Sequence, residues 1–142
     1  MIIDDKRSWW DVSVEALKAL YKYNKQVCKA IIQDNDKTIQ ENLYKLTPLC
    51  WDEVHNFFSY LVKTNKEYVV FMLDKIDTNL LFEKWEYAIT SSSYSHYSRK
   101  KSYVRGFRKL ITLLQDNTES ELFLHIINKV ENILNNELAK GQ

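Results

Sequence analysis

Arginine side chains able to bind an anion are concentrated in one short segment of the sequence, residues 99–109. This segment contains six basic residues and no acidic residue, and it holds three of the four arginines of the chain. The remaining residues contain fourteen Lys and Arg against nineteen Asp and Glu, although the formal net charge of the whole chain is only +1. Because a guanidinium group forms paired hydrogen bonds with phosphate or carboxylate, this concentration of arginine in a lysine-rich chain predicts an anion-binding surface.

A helix through this segment would place its basic and apolar residues on opposite sides. At the spacing of an α-helix, the apolar residues at 104, 107, 110, 111 and 114 gather on one side, together with the residue at 97. The opposite side carries four basic residues, with Arg99 at its margin: Lys101, Arg105, Arg108 and Lys109. Like charges four residues apart destabilise an isolated helix by a few tenths of a kcal/mol. The stripe therefore indicates either a binding partner or a facing acidic surface.

Gly106 is unusual because the chain contains only two glycines. A glycine inside a helix costs about 1 kcal/mol relative to alanine. Its presence indicates the close approach of another backbone, a break in the helix, or room for a phosphate group. Nearby tyrosines are able to stack on bases, as aromatic residues do in single-strand binding surfaces. The predicted nucleic-acid or anion site therefore contains Tyr97, Arg99, Lys101, Tyr103, Arg105, Gly106, Arg108 and Lys109.

The leading hypothesis is a non-enzymatic helical module that holds nucleic-acid phosphates on the basic helix at about 99–109. In one alternative the same helix contacts an acidic protein, as in an adaptor, an inhibitor or a complex subunit, and Trp9 or Tyr23 adds apolar contact. In another, the stripe is a solvated helix face balanced by the acidic residues of the chain itself, and Gly106 serves helix packing. No zinc finger, RNP sequence, GxxG loop or leucine zipper is present. The motifs carry no resemblance to a known family.

Besides nucleic-acid binding and protein binding, the third functional hypothesis is a small metal-dependent helical enzyme. Two pairs of residues place a carboxylate and an imidazole on one face of a helix, as metal-binding pairs in helical bundles do. These pairs are Asp52 with His55 and Glu121 with His125. A di-metal bundle would need two E-x-x-H motifs and two further glutamates, which the sequence lacks. The scarcity of glycine excludes Walker loops, dinucleotide fingerprints and nucleophile elbows. We therefore predict that the protein is not an enzyme and has neither a metal nor a cofactor.

The composition predicts one all-α domain over residues 1–142. The chain is 45% hydrophobic and 13% aromatic, with two glycines and one proline, which favours long helices over folds that need many tight turns. Cys28 and Cys50 form neither a disulfide framework nor a CxxC motif, and Cys28 falls within an apolar helical pattern. The chain start lacks the features of a signal peptide, and its longest apolar run, at 68–73, is too short to span a bilayer. These features predict a soluble protein of the cytoplasm or another reducing compartment such as the nucleus. They do not predict an oligomeric state.

Apolar periodicity predicts an irregular bundle of six or seven helices. The expected helices lie at about 9–33, between Thr38 and Leu46, at 48–63, 67–76, 79–90 and 96–115, and after the capping sequence Thr118–Glu121. The segment at 67–76 is apolar on all sides, and we favour a helix because no other segment resembles a partner strand. The serine-rich stretch at about 90–95 predicts a flexible loop.

Overall fold

The computed structural model describes residues 9–46, 50–90 and 97–140, including the side chains of 105–137 in the last of these ranges. This part of the chain contains seven α-helices and no strand, which confirms the predicted all-α bundle. The helices are α1 (Trp9–Tyr23), α2 (Lys25–Asp34), α3 (Asp36–Tyr44), α4 (Trp51–Lys75), α5 (Thr78–Thr90), α6 (Tyr97–Gln115) and α7 (Glu121–Lys140). None of these helices is long and apolar enough to cross a membrane.

α4 is the central helix of the bundle. It packs against α1 and α6, while α5 and α6 both pack against α7. Its buried residues lie on several sides of the helix, as expected for a helix enclosed by others: Trp51, Val54, Phe57, Phe58, Leu61, Asn65, Tyr68, Val69, Met72 and Leu73. The neighbouring helices are therefore positioned by a common apolar core.

Aromatic rings connect three of the helices at the start of α4. The ring of Trp51 lies 5.5 Å from that of Trp85 in α5 and 5.0 Å from that of Phe107 in α6. All three side chains are buried, and Trp85 Nε1 donates a hydrogen bond to the carbonyl oxygen of Leu43 at 2.8 Å. This cluster fixes the position of α6 relative to α4 and α5.

The prediction of one helix over 9–33 is wrong, because the structure divides this segment at Asn24. The backbone of Asn24 is extended, with φ −160° and ψ 110°, and its side-chain oxygen accepts hydrogen bonds from the amides of Gln26 and Val27 at 3.0 and 3.2 Å. Asparagine is a strong N-cap residue because its side chain satisfies amides that have no partner inside the helix. The cap starts α2 as a separate helix.

The predicted break at Thr64–Asn65 is present as a kink inside α4. Asn65 has φ −154° and ψ 60°, which are not helical angles, and the helix continues on both sides of it. Thr64 Oγ1 donates to the carbonyl oxygen of Tyr60 at 2.9 Å, an arrangement that often bends helices. The segment at 67–76 is helical through Lys75, as predicted. Thr47–Leu49 and the predicted loop beyond Thr90 lie outside the described residues.

Candidate functional site

α6 has the two faces that its sequence predicts, over the part whose side chains are described. Phe107, Leu110, Ile111 and Leu114 are buried in the core, whereas the three basic side chains Arg105, Arg108 and Lys109 are exposed. Because residues three and four apart lie on one face of a helix, these cations are neighbours. We call them the α6 basic face. The side chains of the other predicted site residues, Tyr97, Arg99, Lys101 and Tyr103, lie outside the described part and remain predictions.

Gly106 lies between α6 and α4. A Cβ atom added to Gly106 would be 3.2 Å from the Cβ atom of Trp51 and 3.0 Å from Asp52 Oδ1. The residue is buried, and α6 continues through it. Of the explanations for this glycine, the close approach of another helix therefore has direct structural support. Gly106 is therefore not part of the exposed surface of α6.

One cation of the α6 basic face already contacts an acidic residue of the protein. Arg108 Nε lies 3.4 Å from Glu131 Oε1 on α7. The two side chains are 61% and 30% exposed, and an ion pair at such a site contributes at most about 1 kcal/mol. Within the described part of the chain, Arg105 and Lys109 have no ion-pair partner. The acidic residues of the described part of the chain therefore form an ion pair with only one of these three cations.

The other residues singled out by sequence form no described metal site. Among the residues that the structure describes, no three His, Cys, Asp or Glu side chains lie close enough together to hold a metal ion. The Cys28 side chain is buried, as predicted, and its Sγ–H donates to the carbonyl oxygen of Leu17 at 3.7 Å. Burial raises the pKa of the Cys28 thiol. Cys50 is half-buried just before α4.

A cavity lined by several polar side chains lies beside the α4 kink, and the sequence did not predict it. It has a volume of about 730 Å³ and lies between α2, the start of α3 and the second half of α4. Tyr68 donates its hydroxyl hydrogen to Asp36 Oδ1 at 2.5 Å, and Gln40 Nε2 donates to Asp36 Oδ2 at 2.9 Å. Burial raises the pKa of the Tyr68 phenol, and the hydrogen bond to Asp36 raises it further. The only sequence signal was the polar break at Thr64–Asn65.

No known protein family, curated protein or solved structure matches this chain.

Proposed function

We propose that this protein is a non-enzymatic helical module that binds an anionic partner through the α6 basic face, with nucleic-acid phosphates as the leading candidate. The observation that carries the proposal is the pair Arg105 and Lys109. They are one helical turn apart, exposed, and without an ion-pair partner among the described residues. Two cations held side by side on a rigid helix attract phosphate groups more strongly than scattered lysines do.

The packing of α6 supports this proposal because it limits how the basic face can move. The residues opposite the cations are fully buried, and Phe107 lies in the aromatic cluster with Trp51 and Trp85. A surface that is already ordered loses less conformational entropy on binding than a flexible segment does. Including the predicted position of Lys101, the stripe to Lys109 is about 12 Å long.

The contact between Arg108 and Glu131 does not prevent phosphate binding. An exposed ion pair contributes at most about 1 kcal/mol, whereas an arginine–phosphate contact can form two parallel hydrogen bonds. A phosphate group can therefore replace the carboxylate. The predicted role of Tyr97 and Tyr103 is to stack on bases next to these phosphate contacts.

Fluorescence anisotropy with labelled single-stranded and double-stranded oligonucleotides, measured across a salt series, tests the proposal. We expect log K to fall linearly with log salt, with a slope of roughly −0.7 to −0.9 per phosphate contact. The double variant Arg105→Ala/Arg108→Ala should bind more weakly and with a shallower slope. The matched control Lys37→Ala/Lys66→Ala removes the same charge from exposed positions on α3 and α4, and it should bind nearly as the wild type does.

Two results would contradict nucleic-acid binding. One is an anisotropy that stays flat at low salt with both kinds of oligonucleotide. The other is an affinity that falls equally in the α6 double variant and in its control, because only net charge would then be involved.

A second function, contact with an acidic protein, is favoured by the ion pair between Arg108 and Glu131. In this contact Arg108 pairs with a carboxylate of the same chain, and a carboxylate on a partner protein can pair with an arginine in the same way. Tyr23 at the end of α1 is 86% exposed and offers an aromatic surface to a partner. A pull-down that recovers an acidic protein with the wild type and the control, but not with Arg105→Ala/Arg108→Ala, would support this function over nucleic-acid binding.

A further inference from the structure

The cavity beside the α4 kink contains side chains that the α6 basic face does not use. Its α2 wall presents Gln26, Lys29 and Gln33, and its other wall presents Asn65 and Tyr68 from α4, with Asp36 at the start of α3. A volume of about 730 Å³ lies within the range of pockets that bind small molecules, roughly 300–1,000 Å³. The size and the polar side chains of this cavity therefore indicate a binding site for a small molecule that is separate from α6.

Asn65 is the first indication of a ligand. Its side chain is buried, with only 6% exposed, and its carboxamide has no hydrogen-bond partner among the described residues. In that part of the chain, Trp51 Nε1 is the only fully enclosed side-chain N or O atom that lacks a partner. The amide atoms of Asn65 are therefore not sealed in the core, and they reach the cavity that the residue lines. Buried amides are normally paired, so this amide is a donor and an acceptor available to a ligand.

Asp36 is the second indication, because its negative charge has only neutral partners. Its two oxygens accept hydrogen bonds from the Tyr68 hydroxyl and from Gln40 Nε2. No cation of the described residues lies within ion-pair distance of it. Each carboxylate oxygen accepts a further hydrogen bond after the first. Asp36 is thus fixed in orientation by Tyr68, and its charge remains available to a cationic group.

Lys29 supplies the opposite charge on the α2 wall. It lines the same cavity and has no ion-pair partner among the described residues, so it is not compensated by Asp36. Glu67 adds a second carboxylate to the lining, and a polyanion such as a nucleotide is disfavoured because it has no positive group to pair with either carboxylate. At the rim, Phe71 is 53% exposed, with Lys75 Nζ 4.7 Å from its ring centroid.

We propose that this cavity binds a small zwitterion that carries both an ammonium and a carboxylate group, the chemistry of free amino acids and short peptides. The ammonium group binds Asp36 and the side-chain oxygen of Asn65, and the carboxylate binds Lys29. The amides of Gln26 and Gln33 complete the polar contacts, and Phe71 packs against an apolar part of the ligand. The site lies on α2, α3 and the second half of α4, and the proposal does not depend on the function proposed for α6.

Isothermal titration calorimetry of the full chain with L-amino acids and dipeptides tests this proposal. For each zwitterion that binds, two relatives with the same side chain are compared: the N-acetyl form, which lacks the ammonium group, and the carboxamide form, which lacks the carboxylate. We expect each relative to bind at least about tenfold more weakly, because each loses a charge-assisted contact. The comparison of amino acids with dipeptides identifies which source of the zwitterion fits the cavity.

Charge-neutralising variants connect the binding to the cavity. Asp36→Asn should weaken the zwitterion at least about tenfold, whereas Asp34→Asn, at an exposed position outside the lining, should not. Lys29→Ala should weaken it similarly. Since Lys29 has no described side-chain partner, this variant is expected to fold normally, which circular dichroism checks.

Three results would overturn the proposal. The first is that no amino acid or dipeptide binds at millimolar concentration. The second is that the N-acetyl or carboxamide relatives bind as well as the zwitterion. The third is that both Asp36→Asn and Lys29→Ala, folded as the wild type, leave the affinity unchanged.

Discussion

Replacement of Gly106 by alanine tests how closely α6 packs against α4. The added Cβ atom would lie 3.2 Å from Trp51 Cβ and 3.0 Å from Asp52 Oδ1, both shorter than the roughly 3.5–4.0 Å of a favourable carbon contact. Asp52 is exposed and can rotate away. Trp51 is buried between the rings of Trp85 and Phe107, so it can yield only if α4 and α6 move apart.

Two opposing effects determine the size of the change. Alanine is favoured over glycine inside a helix by about 1 kcal/mol, whereas overpacking a well-packed contact costs about 1–3 kcal/mol. We therefore expect Gly106→Ala to lower the free energy of unfolding by about 1 kcal/mol. Ala19→Gly, at an exposed position within α1, measures the helix-propensity effect in this same chain and should cost about 1 kcal/mol.

Urea unfolding followed by tryptophan fluorescence and circular dichroism measures both variants. Gly106→Ala would contradict close packing if it raised the free energy of unfolding by as much as Ala19→Gly lowers it. In that case α4 and α6 would not approach as closely as the structure shows. Oligonucleotide binding supplies a second readout. A packing role for Gly106 predicts that the folded variant keeps the wild-type affinity and salt slope, whereas a loss of affinity without a loss of stability would indicate close approach of a phosphate group.

Substitutions test three single contacts of the structure. Asn24→Ala removes the cap of α2 and should lower the free energy of unfolding by about 1 kcal/mol, and an unchanged urea midpoint would contradict the cap. Glu131→Gln removes the carboxylate that pairs with Arg108, so oligonucleotides should bind more tightly in the anisotropy assay, while stability changes by less than about 1 kcal/mol; weaker binding would count against the α6 basic face. The folded-state pKa of Tyr68 is raised by burial and by Asp36. Its contribution to stability is therefore complete below the unfolded pKa of about 10 and decreases as the pH rises above that value. Unfolding titrations should show wild type losing stability faster than Tyr68→Phe above about pH 10, and parallel curves would refute this.

Apolar spacing correctly predicted the helices whose buried faces are continuous. The apolar side of α6 is one example, with Phe107, Leu110 and Leu114 buried. At 67–76 the apolar residues lie on all sides, so spacing did not distinguish a helix from a strand, and the helix was predicted because the sequence contains no partner strand. At Asn24 the same signal failed, because apolar spacing continues from α1 into α2. The helix is interrupted by the capping hydrogen bonds of the Asn24 side chain. The spacing of hydrophobic residues contains no information about such side-chain-to-backbone hydrogen bonds.

The cavity could not be predicted because it depends on residues that are distant in the sequence. Tyr68 and Asp36 are 32 positions apart, and their hydrogen bond forms only because the kinked second half of α4 lies beside the start of α3. The sequence left three explanations for Gly106: close approach of another backbone, a break in the helix, or room for a phosphate group. The structure supports the first of these, because a Cβ atom at position 106 would lie only 3.2 Å from the Cβ atom of Trp51 in α4.

The salt dependence of oligonucleotide binding can show how much of α6 contacts the partner. If only Arg105, Arg108 and Lys109 touch phosphates, the slope of log K against log salt should lie at roughly −2 to −2.7, whereas the addition of Arg99 and Lys101 should steepen it to roughly −3.5 to −4.5. An acidic protein has no condensed counterion layer comparable to that of nucleic acid. Its binding should instead weaken only as far as Debye screening reduces the attraction between exposed charges. The slope therefore distinguishes the two partners, and for nucleic acid it also shows whether the first turns of α6 take part.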